Sequence, residues 1–444
     1  MPTNVCIFFP DRRLGGGPYY LMRLACELAK DDNYRVFYID YPDGFAKTTP
    51  EAKSTDKITF IDWIETDINY TFQEECILLM PIYRLDILPF IHPNSKVLFF
   101  NWHTCCIPEL KRFSKFTDRH LRHFLSVVAA NDGQIFCDGS HYEFCNEYSQ
   151  IKFKPQYVPL ISHLKEVHAK KEIINDDIIN IALLGRIVID KVYALNNVIE
   201  LACQYKTEKK IILHIIGDGL YKEQVKTNTP ENVEVRFCGV IKEEALQEYL
   251  RDNCDVMFAM GTSVLDGAAM KLPSYMIPTE LKPFSCDNFI LLSNTKDYIV
   301  GYTPEQLEIL DMKCECFKDI IDNLYSEGQK ERLGEDCYRF IANNFTAQAA
   351  TKLLKEALNT TTLRYFDVYT LKRLQDLTYT SCSVNTFNKL NKRLTTSVKN
   401  KIRLKIWDHY RKYSCDIEKF RKKHPVKYKI WTKIDKKLKS KGLI

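Results

Sequence analysis

Runs of apolar residues in the first part of the chain are separated by polar or helix-like stretches, a pattern that predicts strands alternating with helices. Between the first two runs, residues 15–30 place Leu21, Leu24, Ala25 and Leu28 on one helical face. Buried strands separated by helices are typical of a parallel sheet in an α/β domain. The predicted strands of this domain lie in residues 4–9, 35–41, 76–82, 97–103, 126–132, 133–139 and 156–161.

The same alternation begins again after residues 162–177, a polar and weakly periodic stretch that predicts a linker. We therefore expect an α/β protein with two Rossmann-like domains, residues 1–165 and 179–345, joined by residues 166–178 and facing a cleft. Ligands of such sheets bind at the carboxyl ends of the strands. The second domain is predicted to have strands in residues 180–186, 210–219, 233–240 and 254–261, and helices in residues 193–205, 242–252 and 262–272.

Residues 346–444 are predicted to form a basic helical tail. Apolar side chains between Phe387 and Phe420 recur close to the α-helical period of about 3.6 residues, with Lys and Arg on the other faces. Pro425 is expected to end this helix, and a shorter amphipathic helix follows it as far as Leu438.

The charge distribution separates the tail from the body. Residues 361–444 contain 23 Lys and Arg against 6 Asp and Glu, so the first 360 residues carry −11 in a chain whose net charge is +6. A basic helix with an apolar stripe is typical of binding to an anionic membrane surface, a role that we assign to residues 386–441. Packing on the body or on a second subunit is the alternative. Nucleic-acid binding is not expected, because no nucleic-acid motif accompanies the charge.

Composition restricts the class of protein further. The 444 residues, 45% of them hydrophobic, are enough for two or three domains. The 16 cysteines form no Cys-x-x-Cys pair, which disfavours a structural zinc site and is typical of reduced thiols. Neither a signal peptide nor an apolar run of about 20 residues is found. We therefore expect a cytoplasmic protein, and the absence of metal-binding motifs predicts no required metal.

The first candidate site follows the first strand of the second domain. In the sequence LLGRIVIDK, Gly185 ends the strand, Arg186 follows, and Lys191 lies five residues later. A guanidinium fork and an ammonium at the mouth of a cleft suit a diphosphate. Two solvated cations in a loop are the alternative, but the position at the carboxyl end of a strand favours a ligand site.

The stretch FAMGTSVLDGAAMKLP, residues 258–273, is the second candidate. Gly261 ends a predicted strand and lets the backbone approach a ligand closely. Thr262 and Ser263 begin a helix whose free N–H groups suit phosphate or sugar oxygens, although either residue could instead be an N-cap. Asp266 is expected on the first helical turn, where its carboxylate suits the paired hydroxyls of a ribose. The alternative for Asp266 is a favourable interaction with the helix dipole.

Two further signals lie in the first domain. Gly16 and Gly17 belong to a glycine turn before the first helix that can accommodate an anion, but the G-x-G-x-x-G fingerprint is absent. His103 follows a predicted strand in NWHTCC, where it can donate a hydrogen bond to a sugar or transfer a proton. A flexible turn and a structural histidine, respectively, are the alternatives.

Taken together, these motifs resemble the GT-B glycosyltransferases, in particular the family-4-like group with a C-terminal domain of the glycosyl transferases group 1 type. The resemblance rests on LLGRIVIDK, LHIIGDG, VRFCGVI, CDVMFAMG and TSVLDGAAMKLP, in this order within residues 180–275. The N-terminal FFPDRRLGGGPYYLMRLACELAK is similar to the glycine loop and helix of the family's acceptor domain, but less specifically. The resemblance implies a first domain for the acceptor and a second for a nucleotide sugar.

The resemblance also implies roles for individual residues. Arg186 and Lys191 match the pair that holds the donor diphosphate, and Asp266 matches the acid that binds the nucleotide ribose. His103, the candidate catalytic residue, matches a histidine near the transferred sugar. The remaining matches to donor-binding positions are Gly261, Thr262, Ser263, Gly16 and Gly17.

The sequence departs from the family pattern at Phe258. The family has an acid at this position, eight residues before the ribose-binding acid, which is itself usually Glu where this chain has Asp266. The acid that contacts the sugar is therefore missing or supplied elsewhere. The donor sugar and the stereochemical outcome stay open, and retention of configuration follows from the family alone.

The function implied by the resemblance is transfer of a sugar from a nucleotide-diphosphate-sugar to a glycan or lipid-linked acceptor, with no cofactor. The MGTS form of the motif is similar to a subgroup associated with bacterial surface polysaccharide synthesis. The basic tail suits a lipid-linked acceptor and a peripheral place on the inner face of the cytoplasmic membrane. Two other classes remain open. A non-catalytic nucleotide-sugar scaffold is suggested by Phe258, and a nucleotide-sugar epimerase shares the architecture.

Overall fold

The computed structural model describes residues 2–12, 15–64, 71–162, 164, 177–241 and 243–372. Two six-stranded sheets organise this part of the chain. Each sheet has its own apolar core, one within residues 5–161 together with parts of 350–371, the other within residues 160–345. The amphipathic stripe predicted for residues 386–441 and most of the predicted linker lie outside the described residues.

The first sheet consists of parallel strands, and its central strands are buried along nearly their whole length. They are β1 (Thr3–Phe8), β2 (Tyr34–Asp40), β3 (Ile58–Asp62), β4 (Ile77–Pro81), β5 (Lys96–Asn101) and β6 (Gln134–Phe136). Their order in the sheet is β3-β2-β1-β4-β5-β6. The helices of this domain are α1 (Gly16–Leu28), α2 (Pro50–Lys53), α3 (Cys106–Phe113), α4 (Asp118–Ala130) and α5 (Gly139–Ser149). The apolar face predicted for α1 is confirmed, because Leu21, Leu24, Ala25 and Leu28 are all buried.

The second sheet repeats this design with the order β12-β11-β10-β7-β8-β9. Its strands are β7 (Ile178–Leu184), β8 (Lys210–Ile216), β9 (Val233–Gly239), β10 (Val256–Ala259), β11 (Ser274–Met276) and the antiparallel β12 (Ile290–Leu291). The helices that follow or flank them are α6 (Ile189–Gln204), α7 (Glu243–Asn253), α8 (Thr262–Ala269), α9 (Gln306–Leu310), α10 (Phe317–Leu324), α11 (Gln329–Asn344) and α12 (Ala347–Thr360).

Two predicted strands of the first domain are wrong. Residues 126–132 belong largely to α4, whose buried face repeats every three or four residues through Leu121, Phe124, Leu125 and Val128. A short apolar run does not distinguish a buried helix from a strand, and the helical period becomes visible only when the preceding turns are included. Residues 156–161 form no strand beyond a single bridge from Phe136 to Tyr157.

The chain after the second sheet returns to the first domain. Helix α12 packs against α1, and Lys355 forms an ion pair of 2.6 Å with Asp31. Residues beyond α12 then run beside the first residues of β5, where the Val97 amide donates to the carbonyl of Leu363 at 2.8 Å. The predicted tail domain thus begins, in its described part, as a segment packed on the first domain. No helix among the described residues has the length and apolar character needed to cross a membrane.

Candidate active site

The loop after β7 places Arg186 and Lys191 at the carboxyl edge of the second sheet. Helix α6 begins at Ile189, four residues before its predicted start, so Lys191 is held on the first turn of a helix. Lys191 is half-buried, whereas Arg186 is exposed. The alternative of two solvated cations in a loop is therefore wrong for Lys191, because the helix start fixes its backbone and the surrounding protein covers much of its side chain.

Two glycines of the IIGDG turn bring the ends of β7 and β8 into close contact. A Cβ atom on Gly217 would lie 2.0 Å from the carbonyl oxygen of Gly185, and one on Gly219 would lie 2.2 Å from that of Ile187. Any larger residue at either position would push the two loops apart. These glycines thereby fix the path of the backbone that carries the two cations.

The Lys191 ammonium has no protein partner in the part of the chain that the structure describes. Burial lowers the pKa of Lys191, while Asp190 raises it and Arg186 lowers it again. The Lys191 ammonium makes no hydrogen bond and no ion pair with any residue that the structure describes. A Cβ atom placed on Gly185 would lie 3.3 Å from Lys191 Nζ and 3.9 Å from Ser263 Oγ, so the first and second candidate sites meet at this glycine.

The start of α8 has no side-chain cap, and the N-cap interpretation of Thr262 and Ser263 is wrong. The N-cap residue is Gly261, whose φ of 62° and ψ of −140° belong to a region that is nearly reserved for glycine. Its amide donates to the carbonyl of Val300 at 2.7 Å, which holds the loop in place. The side chains of Thr262 and Ser263 leave the first N–H groups of the helix available to an external acceptor.

Asp266 lies on the second turn of α8, and the helix-dipole interpretation is therefore wrong, since no acid occupies the first turn. Burial raises the pKa of Asp266 to about 7, and Arg23 opposes this effect. The carboxylate has no hydrogen-bond or ion-pair partner among the residues that the structure describes. Arg23 belongs to α1 of the first domain and forms an ion pair of 2.9 Å with Glu51. The charge of a first-domain residue therefore acts on Asp266 in the second domain.

The glycine turn of the first domain leads into α1, whose N-terminus also has no side-chain cap. Helix α1 begins at Gly16, with Gly15 as an extended N-cap residue that provides no side-chain hydrogen bond. A Cβ atom on Gly16 would meet nothing within 4 Å, whereas one on Gly17 would approach the rings of Phe9 and Trp102 at 3.2 Å. Gly16 is therefore open to a ligand, and Gly17 allows the helix to start directly against aromatic rings.

His103 lies in the loop between β5 and α3, with its ring 5.8 Å from that of Tyr83. Burial and the nearby His141 lower the pKa of His103 to about 4, so the imidazole is neutral above pH 5. His141 was not predicted as a site residue. Its Nδ1 atom lies 3.0 Å from the buried Asp138 carboxylate, without the alignment of a hydrogen bond. Asp138 accepts instead from the His141 amide at 3.0 Å and caps α5.

An electrostatic interaction links the loop that carries His103 to the start of α6 in the second domain. Burial raises the pKa of the Cys105 thiol, and Glu109 and Asp190 raise it further. Asp190 stands next to Lys191, so the His103 loop faces the start of α6. Cys105 and Asp190 lie inside the quoted motifs NWHTCC and LLGRIVIDK, but the motifs gave neither residue a role.

Phe258 is a core residue in the middle of β10. Its ring packs 5.6 Å from that of Tyr275 and 5.0 Å from that of Phe289, and the side chain is fully buried. An acid at this position would be enclosed by aromatic rings and not reach the cleft. Among the described residues, no cluster of three or more His, Cys, Asp or Glu side chains is arranged to hold a metal ion.

Comparison with known proteins identifies the fold. No protein-family model matches the chain, and no curated protein matches it. The chain is similar to the solved structure of the lipopolysaccharide outer core galactosyltransferase WaaB in its apo form, with a TM-score of 0.50 and 12% identity over 80% of this chain and 99% of WaaB. For HepE from Anabaena in complex with UDP and glucose, the TM-score is 0.45 and the identity 10%, over 80% of this chain and 99% of HepE.

Structural similarity at such low sequence identity establishes the fold alone. The reaction has to be inferred from the chemistry of the site. The prediction of two Rossmann-like domains facing a cleft is confirmed, whereas membership of the family-4-like group stays a prediction. The protein has the GT-B fold of glycosyltransferases such as WaaB.

Proposed function

We propose that this protein is a glycosyltransferase that moves a sugar from a nucleotide-diphosphate-sugar to a glycan or lipid-linked acceptor. One observation carries the proposal: the Lys191 ammonium and the Asp266 carboxylate are half-buried, and neither has a hydrogen-bond or ion-pair partner among the described residues. An unpaired buried charge costs free energy, so both charges suit a ligand with complementary groups. A diphosphate satisfies Lys191, and the hydroxyls of a ribose satisfy Asp266.

In this mechanism the protein stabilises the leaving nucleoside diphosphate. Negative charge develops on the diphosphate as the bond to the sugar breaks, and we assign its stabilisation to Arg186, Lys191 and the first N–H groups of α8. Arg186 supplies a planar pair of donors, and Lys191 supplies a point charge. Asp266 anchors the ribose when it is ionised. The cleft between the domains holds the acceptor close to the sugar and limits access of water, which would otherwise hydrolyse the donor.

A screen of the purified protein against UDP-, GDP-, ADP- and CMP-sugars tests the donor assignment. Binding to the folded state raises the melting temperature by mass action, so we expect one nucleotide class to shift it and the others to leave it unchanged. Incubation with that donor and a pool of glycan acceptors, followed by mass spectrometry, is expected to show glycosylated product. If no nucleotide sugar binds, the proposal fails.

The same screen separates the two alternative functions, neither of which gains support from the fold or the comparisons. A scaffold would bind the nucleotide sugar without turning it over. An epimerase would release an isomerised nucleotide sugar in the absence of any acceptor.

The acceptor that we propose is part of a cell-surface polysaccharide, and the enzyme then works in the cytoplasm against the inner face of the membrane. Two observations support a membrane partner. The basic tail leaves from the first domain, where Leu363 is fully buried against β5. In addition, residues 111–124 carry five Lys and Arg against one Asp in an otherwise acidic body, and Phe113 in this segment is 41% exposed. An exposed aromatic ring among cations is typical of binding to anionic lipid.

Sedimentation of the full chain with vesicles tests this partner. We expect binding to vesicles that contain phosphatidylglycerol and none to phosphatidylcholine alone. Replacing Lys422, Lys423, Lys427 and Lys429 with Glu should weaken this binding by at least about 100-fold, because each basic residue near the surface contributes about 1 kcal/mol. Lys206→Glu on the second domain is the matched control. Equal binding to both kinds of vesicle would contradict the electrostatic role of the tail.

A further inference from the structure

The first sheet contains a crevice at the position where ligands bind in doubly wound folds. From β1 the chain proceeds to β2 on one side, whereas β4 lies on the other side of β1. The loops that follow β1 and β4 therefore diverge at the carboxyl edge of the sheet and leave a gap between them. The charged donor residues belong to the second domain, and Gly16 and Gly17 at the start of α1 are the donor matches in the first. The aromatic side chains around this gap have no assigned ligand.

Aromatic side chains from three adjacent strand ends line the gap. Phe9 follows β1, Tyr83 follows β4 and Trp102 follows β5. The Trp102 ring packs edge-on against Phe9 at 5.1 Å and lies 6.2 Å from Tyr83. Phe9 is buried, whereas Trp102 and Tyr83 are half-buried. Phe9 packs against the indole of Trp102, and the start of α1 at Gly17 lies directly against both rings. The partly exposed rings of Trp102 and Tyr83 therefore form a rigid wall of the gap.

The charges around this wall are unlike those of the donor site. Burial raises the pKa of Tyr83. Arg84 lowers this pKa, whereas three acidic or thiol side chains raise it further, namely those of Cys106, Glu109 and Asp11. The Tyr83 phenol is therefore neutral and faces two carboxylates and one guanidinium. His103 is neutral as well, next to the same ring. The wall thus offers hydrogen-bonding groups without the excess of positive charge that a phosphate or a uronate requires.

We propose that Trp102 and Tyr83 form the acceptor subsite and that it binds a neutral sugar ring, not a phosphorylated or carboxylated one. A pyranose has an apolar C–H face and a rim of hydroxyls, so it matches an aromatic wall flanked by polar side chains. The inference rests on the proposed function. The Trp102 loop continues to Cys105, which lies within electrostatic reach of Asp190 at the start of α6. We therefore expect a sugar on this wall to face the part of the second domain that carries the proposed donor cations.

Fluorescence titration of the full chain tests the subsite, with the nucleoside diphosphate that the donor screen identifies present. The neutral probes are the methyl glycosides of glucose, galactose, mannose and N-acetylglucosamine, and the charged probes are methyl glucuronide and glucose 6-phosphate. We expect a saturable change in tryptophan emission with at least one neutral glycoside and none with the charged probes. This change should disappear in Trp102→Phe and persist in Trp63→Phe, the control for a tryptophan that is buried elsewhere in the same domain.

Variants of Tyr83 give a second readout once a transferred product is known. Tyr83→Ala is expected to raise the acceptor KM about tenfold, the effect of losing one aromatic contact, with donor affinity unchanged. Tyr83→Phe keeps the ring and should keep the KM. Tighter binding of a charged probe, or no binding of any neutral glycoside while the nucleotide still binds, would overturn the subsite and leave the donor site intact. If no nucleotide binds, the proposed function fails first.

Discussion

Replacing Arg186 and Lys191 together with Ala is expected to abolish detectable donor binding and to lower the rate of sugar transfer by about 10²- to 10⁴-fold. Each charge-assisted hydrogen bond to a phosphate contributes about 1.5–3 kcal/mol, and the double variant removes both cationic side chains that we assign to the diphosphate. The loss should appear in kcat as well as in KM, because negative charge on the diphosphate is greatest in the transition state. Calorimetric titration of the nucleotide and initial rates of transfer measure the two effects.

Lys206→Ala is the matched control, since Lys206 is an exposed lysine of the same domain, two residues beyond the end of α6. It should leave donor affinity and rate unchanged. The free double variant should unfold at the same or a higher temperature than the wild type, because it no longer buries the unpaired Lys191 ammonium. Unchanged donor affinity in a folded double variant would show that the diphosphate binds elsewhere.

Asp266→Asn is expected to stabilise the free protein at pH 8 by about 2 to 4 kcal/mol and to weaken donor binding at the same time. Burial raises the pKa of Asp266 from 3.8 to about 7, so the folded protein holds this proton more tightly than the unfolded chain. Stability attributable to this group is therefore present at low pH and is lost as the pH rises from about 4 through 7. Asn does not titrate, and the difference between variant and wild type should grow over this interval.

Denaturant unfolding at pH 4.5, 6 and 8 measures the stability difference, and Asp32→Asn is the control, because Asp32 has a side chain that is 96% exposed. Donor affinity of the wild type should fall as the pH drops below 7, because a protonated carboxyl accepts ribose hydroxyls less well. The same titration of Asp266→Asn should be flat in this range. A stability difference that does not depend on pH would contradict the assignment of the raised pKa to Asp266.

The chain order of elements could be predicted because strands covered by helices on both faces must be apolar along their whole length. This condition is met by β4 and β10, in which every residue is buried. Amphipathic helices such as α1 can be predicted equally directly, because their apolar residues recur every three or four positions. The prediction failed at residues 126–132, where a short apolar run is compatible with either structure and the preceding turns of α4 decide the outcome.

The sequence by itself determined the chemistry available to the site: a guanidinium and an ammonium after one strand, a glycine and a lone acid after another. Only the tertiary structure decided the state of these groups. Burial sets the pKa of Asp266, and Arg23, which opposes the shift, is more than two hundred residues distant in the chain. Likewise, Asp190 reaches Cys105 only because two domains face each other. Desolvation and long-range charge depend on what surrounds a residue in space, which no local pattern records.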